Sequence, residues 1–372
     1  MERLIIPVLS IVIAIAFSVY KARKAQGGRS GTARRETAEQ PAGRTRSAGS
    51  VQLGFLPPDR LDTERSQPGH PRDEPVLAAV RGGDWQQAAA YLAEAGTDWR
   101  ERYRRAGVLA AEAAEDDAWL VAWRRAHPHD PGAALVNADA LIDVAWAIRG
   151  NGTGSTVGEE AARRFHDVLH RAREACAEAQ ALGGDDPSPY IVEMALAMGL
   201  GYPHEQMRAL WAETEKRDPY HLAAYTRALQ YWCAKWRGSH EAARQFADMA
   251  AARAYPGSLL TLLPLQAHFE YEQSQRDLDP DEYYKRPEVV AAVDACLADV
   301  AAADPLDRGV RPVRHFLAWC LYWQDRYPEA VEQFRHIDGF IGATPWDYAS
   351  DPVKRYTDAR DYCADRVAEA AG

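Results

Sequence analysis

The chain has 372 residues, 47% of them hydrophobic and 10% aromatic, enough to bury one large core or two ordinary ones, which excludes a chain that stays unfolded throughout. Its formal charge of −10 is unevenly spread: residues 21–50 count to about +6 and residues 76–372 to about −14, and an acidic body on a basic arm argues against nucleic-acid binding. The five cysteines, Cys176, Cys233, Cys296, Cys320 and Cys363, are odd in number and form no C-x-x-C pair, so a disulfide framework and a zinc site are both disfavoured and burial as small hydrophobes is expected.

Residues 4–20 read LIIPVLSIVIAIAFSVY, an uncharged run at the lower limit for a membrane-spanning helix. Pro7 falls in its first turn, where proline is tolerated. The run passes directly into Lys21-Ala-Arg23-Lys24, a stop-transfer flank with no small-residue cleavage site before it. The excess of Arg and Lys on its C-terminal side predicts a single-pass anchor in the cell membrane with a cytoplasmic body. Residues 21–75 are rich in Gly, Ser, Thr, Pro and Arg, which predicts a basic disordered linker able to lie against anionic headgroups.

From residue 76 onward the pattern is all-α, with helical stretches separated by proline and glycine breaks. The breaks are Gly82-Gly83, 127–131, 150–158, 183–187, Asp218-Pro219, Pro256-Gly257, Asp304-Pro305 and Thr344-Pro345. Residues 346–372 predict a C-terminal capping helix. Within 311–323, Val313, Phe316, Leu317, Cys320 and Leu321 form a core stripe. His315, Trp319, Tyr322 and Trp323 form a second stripe on another face, so that helix must make contact on two sides.

Leu317-Ala318-x-x-Leu321, a turn at 325–328, and Ala330-x-x-x-Phe334-x-x-Ile337 resemble a tetratricopeptide repeat. Leu229-x-x-x-Cys233 followed by Ala242-x-x-x-Phe246-x-x-Met249 keeps the same step from leucine to alanine, and weaker echoes occur at Ala88-Leu92-Ala95, Ala118-Ala122 and Ala172-Cys176-Ala179. The spacings between breaks depart from the family period of about 34 residues, with insertions at 150–155 and 277–286. The resemblance therefore implies an irregular α-solenoid of helical hairpins over residues 76–345. The overall pattern is also similar to uncharacterised actinobacterial proteins of this length, a likeness that implies no activity.

The family binds extended peptides on the concave face of its first helices. Carried onto the two clear units, the resemblance implies partner-binding positions at Arg227, Tyr231 and Lys235 and at His315, Trp319, Tyr322 and Trp323. Cations beside aromatic planes suit a peptide carboxylate with an apolar neighbour. The expectation is a membrane-anchored interaction scaffold for a protein or peptide partner, with no enzyme activity and no cofactor.

Two arrangements imitate catalysis. His166-Asp167-x-x-His170 resembles the two-histidine zinc helix with aspartate in place of glutamate and without a third ligand, so a metal-dependent hydrolase is the alternative reading. Ser239, His240 and Glu241 hold the residue types of a triad but start a helix, where neighbouring side chains diverge. A purely structural part of a membrane complex is the remaining alternative.

Overall fold

A computed structural model of the chain describes residues 46–149 and 158–371. These are all-helical and divide into two compact units, one of residues 69–239 and one joining residues 46–68 to residues 240–371. The anchor at residues 4–20, the basic residues 21–45 and the glycine-rich insertion at 150–157 lie outside the described residues. A short helix α1 (Ala48–Gln52) comes first and belongs to the second unit.

The first unit contains α2 (Asp73–Arg81), α3 (Trp85–Ala93), α4 (Trp99–Glu115), α5 (Ala118–Ala126), α6 (Pro131–Arg149), α7 (Glu159–Gly183), α8 (Ser188–Leu200), α9 (His204–Arg217) and α10 (Leu222–Trp232). Among the described residues, the predicted breaks of this unit fall at or between helix ends. At the 127–131 break Asp130 Oδ1 accepts from the backbone N–H of Gly132 at 2.8 Å and Ala133 at 3.1 Å, which caps α6. At the end of α8, Gly201 takes a left-handed conformation (φ 66°), and its N–H bonds to Ala197.

Helix α6 is the centre of the first unit and packs most extensively against α7 and α4. Among the described residues it is long and apolar enough to cross a membrane, but two-thirds of it is buried inside the fold. Of the weaker repeat echoes, Ala88-Leu92-Ala95 and Ala172-Cys176-Ala179 are buried, whereas Ala118 and Ala122 are exposed and α5 packs through Trp119, Leu120 and Trp123 instead. All five cysteines are buried thiols outside any disulfide.

The second unit contains α11 (His240–Ala252), α12 (Leu262–Ser274), α13 (Pro280–Tyr283), α14 (Pro287–Ala302), α15 (Val310–Trp323), α16 (Tyr327–Ile337) and α17 (Pro352–Ala371). Helices α15 and α16 pack against each other, and Leu317, Ala318, Leu321, Ala330, Phe334 and Ile337 are all fully buried. Helix α17 packs on α16. The Leu229/Ala242 match is divided, since α10 lies in the first unit and α11 in the second.

Residues 46–68 correct the linker expectation. Ser50 Oγ donates to Asp361 Oδ1 at 2.6 Å, and the Gly49 N–H donates to Asp365 Oδ1 at 2.8 Å. Arg360 donates to the Leu56 carbonyl at 2.9 Å. A Cβ on Gly49 would meet the Ala364 carbonyl oxygen at 2.5 Å, so only glycine lets α1 lie this close to α17. Further along, Asp62 pairs with Phe340 in an isolated parallel bridge. Polar composition suggested disorder, but backbone and hydroxyl bonds to buried Asp361 and half-buried Asp365 on α17 fasten this strap.

The second stripe of α15 is covered as well. The Trp346 Nε1–H donates to His315 Nδ1 at 2.8 Å, and His315 Nε2 lies 3.3 Å from the Ser66 carbonyl. Trp319 Nε1 donates to the Tyr284 hydroxyl at 3.0 Å, and Gln324 donates to the Tyr284 carbonyl at 3.0 Å. The insertion at 277–286 is thus the lid of this stripe, with Tyr283 and Tyr284 buried.

His315 accepts at Nδ1, so its one neutral proton sits on Nε2 and donates to Ser66. A second proton on Nδ1 would face the Trp346 N–H. Burial accordingly pushes the His315 pKa down to about 4 from the ordinary 6.5. The unfolded chain then binds the extra proton first as pH falls, so this contribution is fully present above pH 6.5 and is lost as pH falls from 6.5 toward 4. Over that window the second unit is expected to lose about 3 kcal/mol, measured by hydrogen exchange in α15 and α16, and His315→Gln should remove that part of the pH dependence.

Candidate functional site

Of the seven residues expected to bind a partner, six are buried: Arg227, Tyr231, His315, Trp319, Tyr322 and Trp323. Arg227, Tyr231 and Lys235 belong to the first unit and the other four to the second. The expected face over Arg227, Tyr231 and Lys235 does not continue, because α10 ends at Trp232 and Lys235 lies in the turn that follows. The Tyr231 hydroxyl donates to the Tyr202 carbonyl at 2.5 Å, inside the fold. The second group is the covered stripe of α15, and Arg355 stacks on Trp319 at 4.3 Å.

The catalytic look-alikes do not assemble. His166, Asp167 and His170 are exposed on α7, and His166 Nδ1 lies 2.8 Å from the Ala162 carbonyl of its own helix. Among the described residues no group of three His, Cys, Asp or Glu side chains is placed to hold a metal ion. The His240 Nε2 atom meets the Ser274 hydroxyl at 3.2 Å and its ring packs on Tyr271, so it is engaged with α12.

The turn 233–239 gathers aromatic and cationic side chains at the surface. Trp232, Lys235 and Trp236 are half-buried and Arg237 is exposed. Arg149 lies over the rings of Trp146 at 5.5 Å and Trp236 at 5.9 Å, and Arg208 lies over Trp232 at 5.8 Å. The His204 ring, 5.0 Å from that of Trp232, holds the Arg237 carbonyl through Nε2 at 2.7 Å. Tryptophan faces hold the guanidinium groups in place, so the charges are presented in a fixed arrangement.

A second cluster lies inside the first unit. Asp139 and Asp143 sit four residues apart on α6, so both carboxyl groups leave the same side of the helix, and they are 2% and 4% exposed. Buried Arg227 on α10 and Tyr103 on α4 complete the cluster, with the guanidinium 5.6 Å from the phenol ring. Burial pushes both carboxyl groups up, Asp143 far above the ordinary value because the charge of Asp139 adds to the effect, while Arg227 pulls both down. Burial acts to lower the Arg227 pKa, but Tyr103 and the two carboxylates outweigh it and the guanidinium stays charged.

The polar seam continues past Tyr103. The His221 ring packs edge-on at 5.4 Å, and burial lowers its pKa. Arg102 pairs with Asp186 at 2.6 Å, and Asp186 caps the start of α8 through the Ser188 N–H at 2.8 Å. Within the seam, Asp143 Oδ2 and Arg227 Nη1 are buried without a hydrogen-bond partner. The pattern-based reading placed Arg227 on an outer face and missed its partners. The available signal was two acids at helical spacing in α6, whose other residues are apolar apart from Asn137 and Arg149.

Compared with protein-family models, with curated proteins and with solved structures, the chain matches none.

A carboxyl group whose folded pKa is raised contributes stability that is present below the unfolded value of about 3.8 and is lost as pH rises through the folded value. Asp143→Asn is therefore expected to leave the first unit as stable or more stable at pH 7, read by hydrogen exchange in α4, α6 and α10. Arg227→Met should cost about 3–5 kcal/mol, because it strands two buried acids without a counter-charge.

Proposed function

We propose that the chain is a membrane-anchored helical scaffold, an irregular tetratricopeptide-like solenoid, that binds an acidic protein segment at the turn after α10. The single observation that carries this reading is the turn itself, where Arg149 and Arg208 lie over the rings of Trp236 and Trp232, and Lys235 and Arg237 belong to the same surface turn. Cations already aligned on aromatic planes lose little freedom when a carboxylate arrives, and the indole edges supply apolar contact for its neighbour. The contrast with the acidic body steers an acidic segment to this turn. The binding chemistry expected of the repeat family is thereby kept, and its place moves from a helix face to a turn.

The repeat reading draws support from the α15–α16 hairpin, whose small and bulky motif positions are all buried. The anchor at residues 4–20 and the positive flank that follows it remain the basis for a cytoplasmic body.

Lys235→Glu with Arg237→Glu should reduce binding of an acidic partner at least tenfold while leaving the melting profile unchanged, measured by titration with captured partner and with acidic peptides. Undiminished binding in the double variant sinks the assignment of the turn. For sidedness, protease added to inverted vesicles should digest the body and protease added to intact cells should not. Digestion in intact cells overturns the cytoplasmic placement.

A further inference from the structure

The buried cluster in the first unit carries more than a structural account of it requires. Two carboxyl groups and one guanidinium leave the cluster one positive charge short when both acids are ionised. Arg227 acts electrostatically on Asp143, yet neither Asp143 Oδ2 nor Arg227 Nη1 makes a hydrogen bond. A pair retained only for packing would close into a direct salt bridge, because an unmade bond in the interior costs more than the bond gains. What suits both atoms is a group that donates to Asp143 and accepts from Arg227.

We propose that this cluster is a binding site for a small primary ammonium compound that also bears a hydroxyl or carbonyl oxygen, an amino alcohol being the simplest member of the class. The ammonium group bonds to Asp143 and Asp139, and the oxygen accepts from Arg227 Nη1. Tyr103, which lies under the guanidinium on the α4 side, holds Arg227 in place.

Charge balance defines the reaction. In the empty site one proton supplies the missing charge, held by the carboxyl pair, and the arriving ammonium replaces it. Binding therefore forms the ammonium–carboxylate contact and releases one proton to solvent, with no bond broken except that O–H. The other titratable groups around the pair are Tyr103 on α4, Arg227 on α10 and Cys176 on α7, and beyond Tyr103 lies His221. Burial holds the thiol and the phenol neutral at pH 7, so the proton that leaves comes from the carboxyl pair.

The test is calorimetric titration of the full chain with ethanolamine, ethylamine and ethanol at pH 7, in two buffers of different ionisation enthalpy. Ethanolamine is expected to bind, with heats in the two buffers that differ by the release of close to one proton. Ethylamine should bind at least tenfold more weakly and ethanol not at all. Asp143→Asn keeps the shape and removes the charge, and should lose ethanolamine binding at least tenfold while its melting profile persists. Arg227→Lys keeps the charge and should erase the preference for ethanolamine over ethylamine. Absence of amine binding in the wild type, equal binding in Asp143→Asn, or binding without proton release overturns the proposal. Because Lys235 and Arg237 take no part in this site, the Lys235→Glu and Arg237→Glu pair should bind ethanolamine normally, so failure at the turn and failure here are distinguishable.

Discussion

Helix α15 is buried on every side from His315 to Trp323, and the architecture of the second unit follows from covering it. One stripe packs into the hairpin with α16 and the other needs a roof. That roof is assembled from three places far apart in the chain: Ser66 on the strap, Tyr284 in the insertion and Trp346 before α17. His315 joins two of them through its two ring nitrogens, and it can do so only in one neutral tautomer. A single imidazole thereby ties the N-terminal strap to the C-terminal end of the unit, in addition to the bonds that hold the strap on α17.

The second unit illustrates what helical periodicity reveals and what it leaves out. Two apolar stripes on residues 311–323 announced that the helix must be covered twice, and the Leu317 to Ile337 motif located its hairpin partner. Neither could identify the roof, because Ser66, Tyr284 and Trp346 lie in segments without helical period. The strap was misjudged for a related reason. Its ordering rests on hydroxyl and backbone bonds to Asp361 and Asp365 across some three hundred residues, and composition counts apolar content without seeing such partners.

The expected binding residues failed on a different point. Spacing places Arg227 and Tyr231 on a common helical side, but it cannot say whether that side faces solvent or a neighbouring helix. Arginine's long stem and charged tip are usually taken to mean exposure, and Arg227 is buried because α6 brings two acids to meet it. Lys235 failed because α10 stops one turn early, at a Cys-x-x-Trp turn with no proline to mark it and a glycine only at Gly238. The break signals that proved legible elsewhere were those written in proline and glycine.

The two clusters of the first unit differ in what they cost. Cations stacked on tryptophan at a surface turn are close to neutral in stability and serve contact with something outside. Acids buried on α6 are different, because the fold would be better off with apolar residues of the same volume at those positions. A single counter-charge on α10 lessens the cost without removing it. The turn is thus permitted by the fold, whereas Asp139 and Asp143 are carried in spite of it. A feature maintained against its own stability is the stronger sign of use, and in this chain that sign lies in the interior of the first unit.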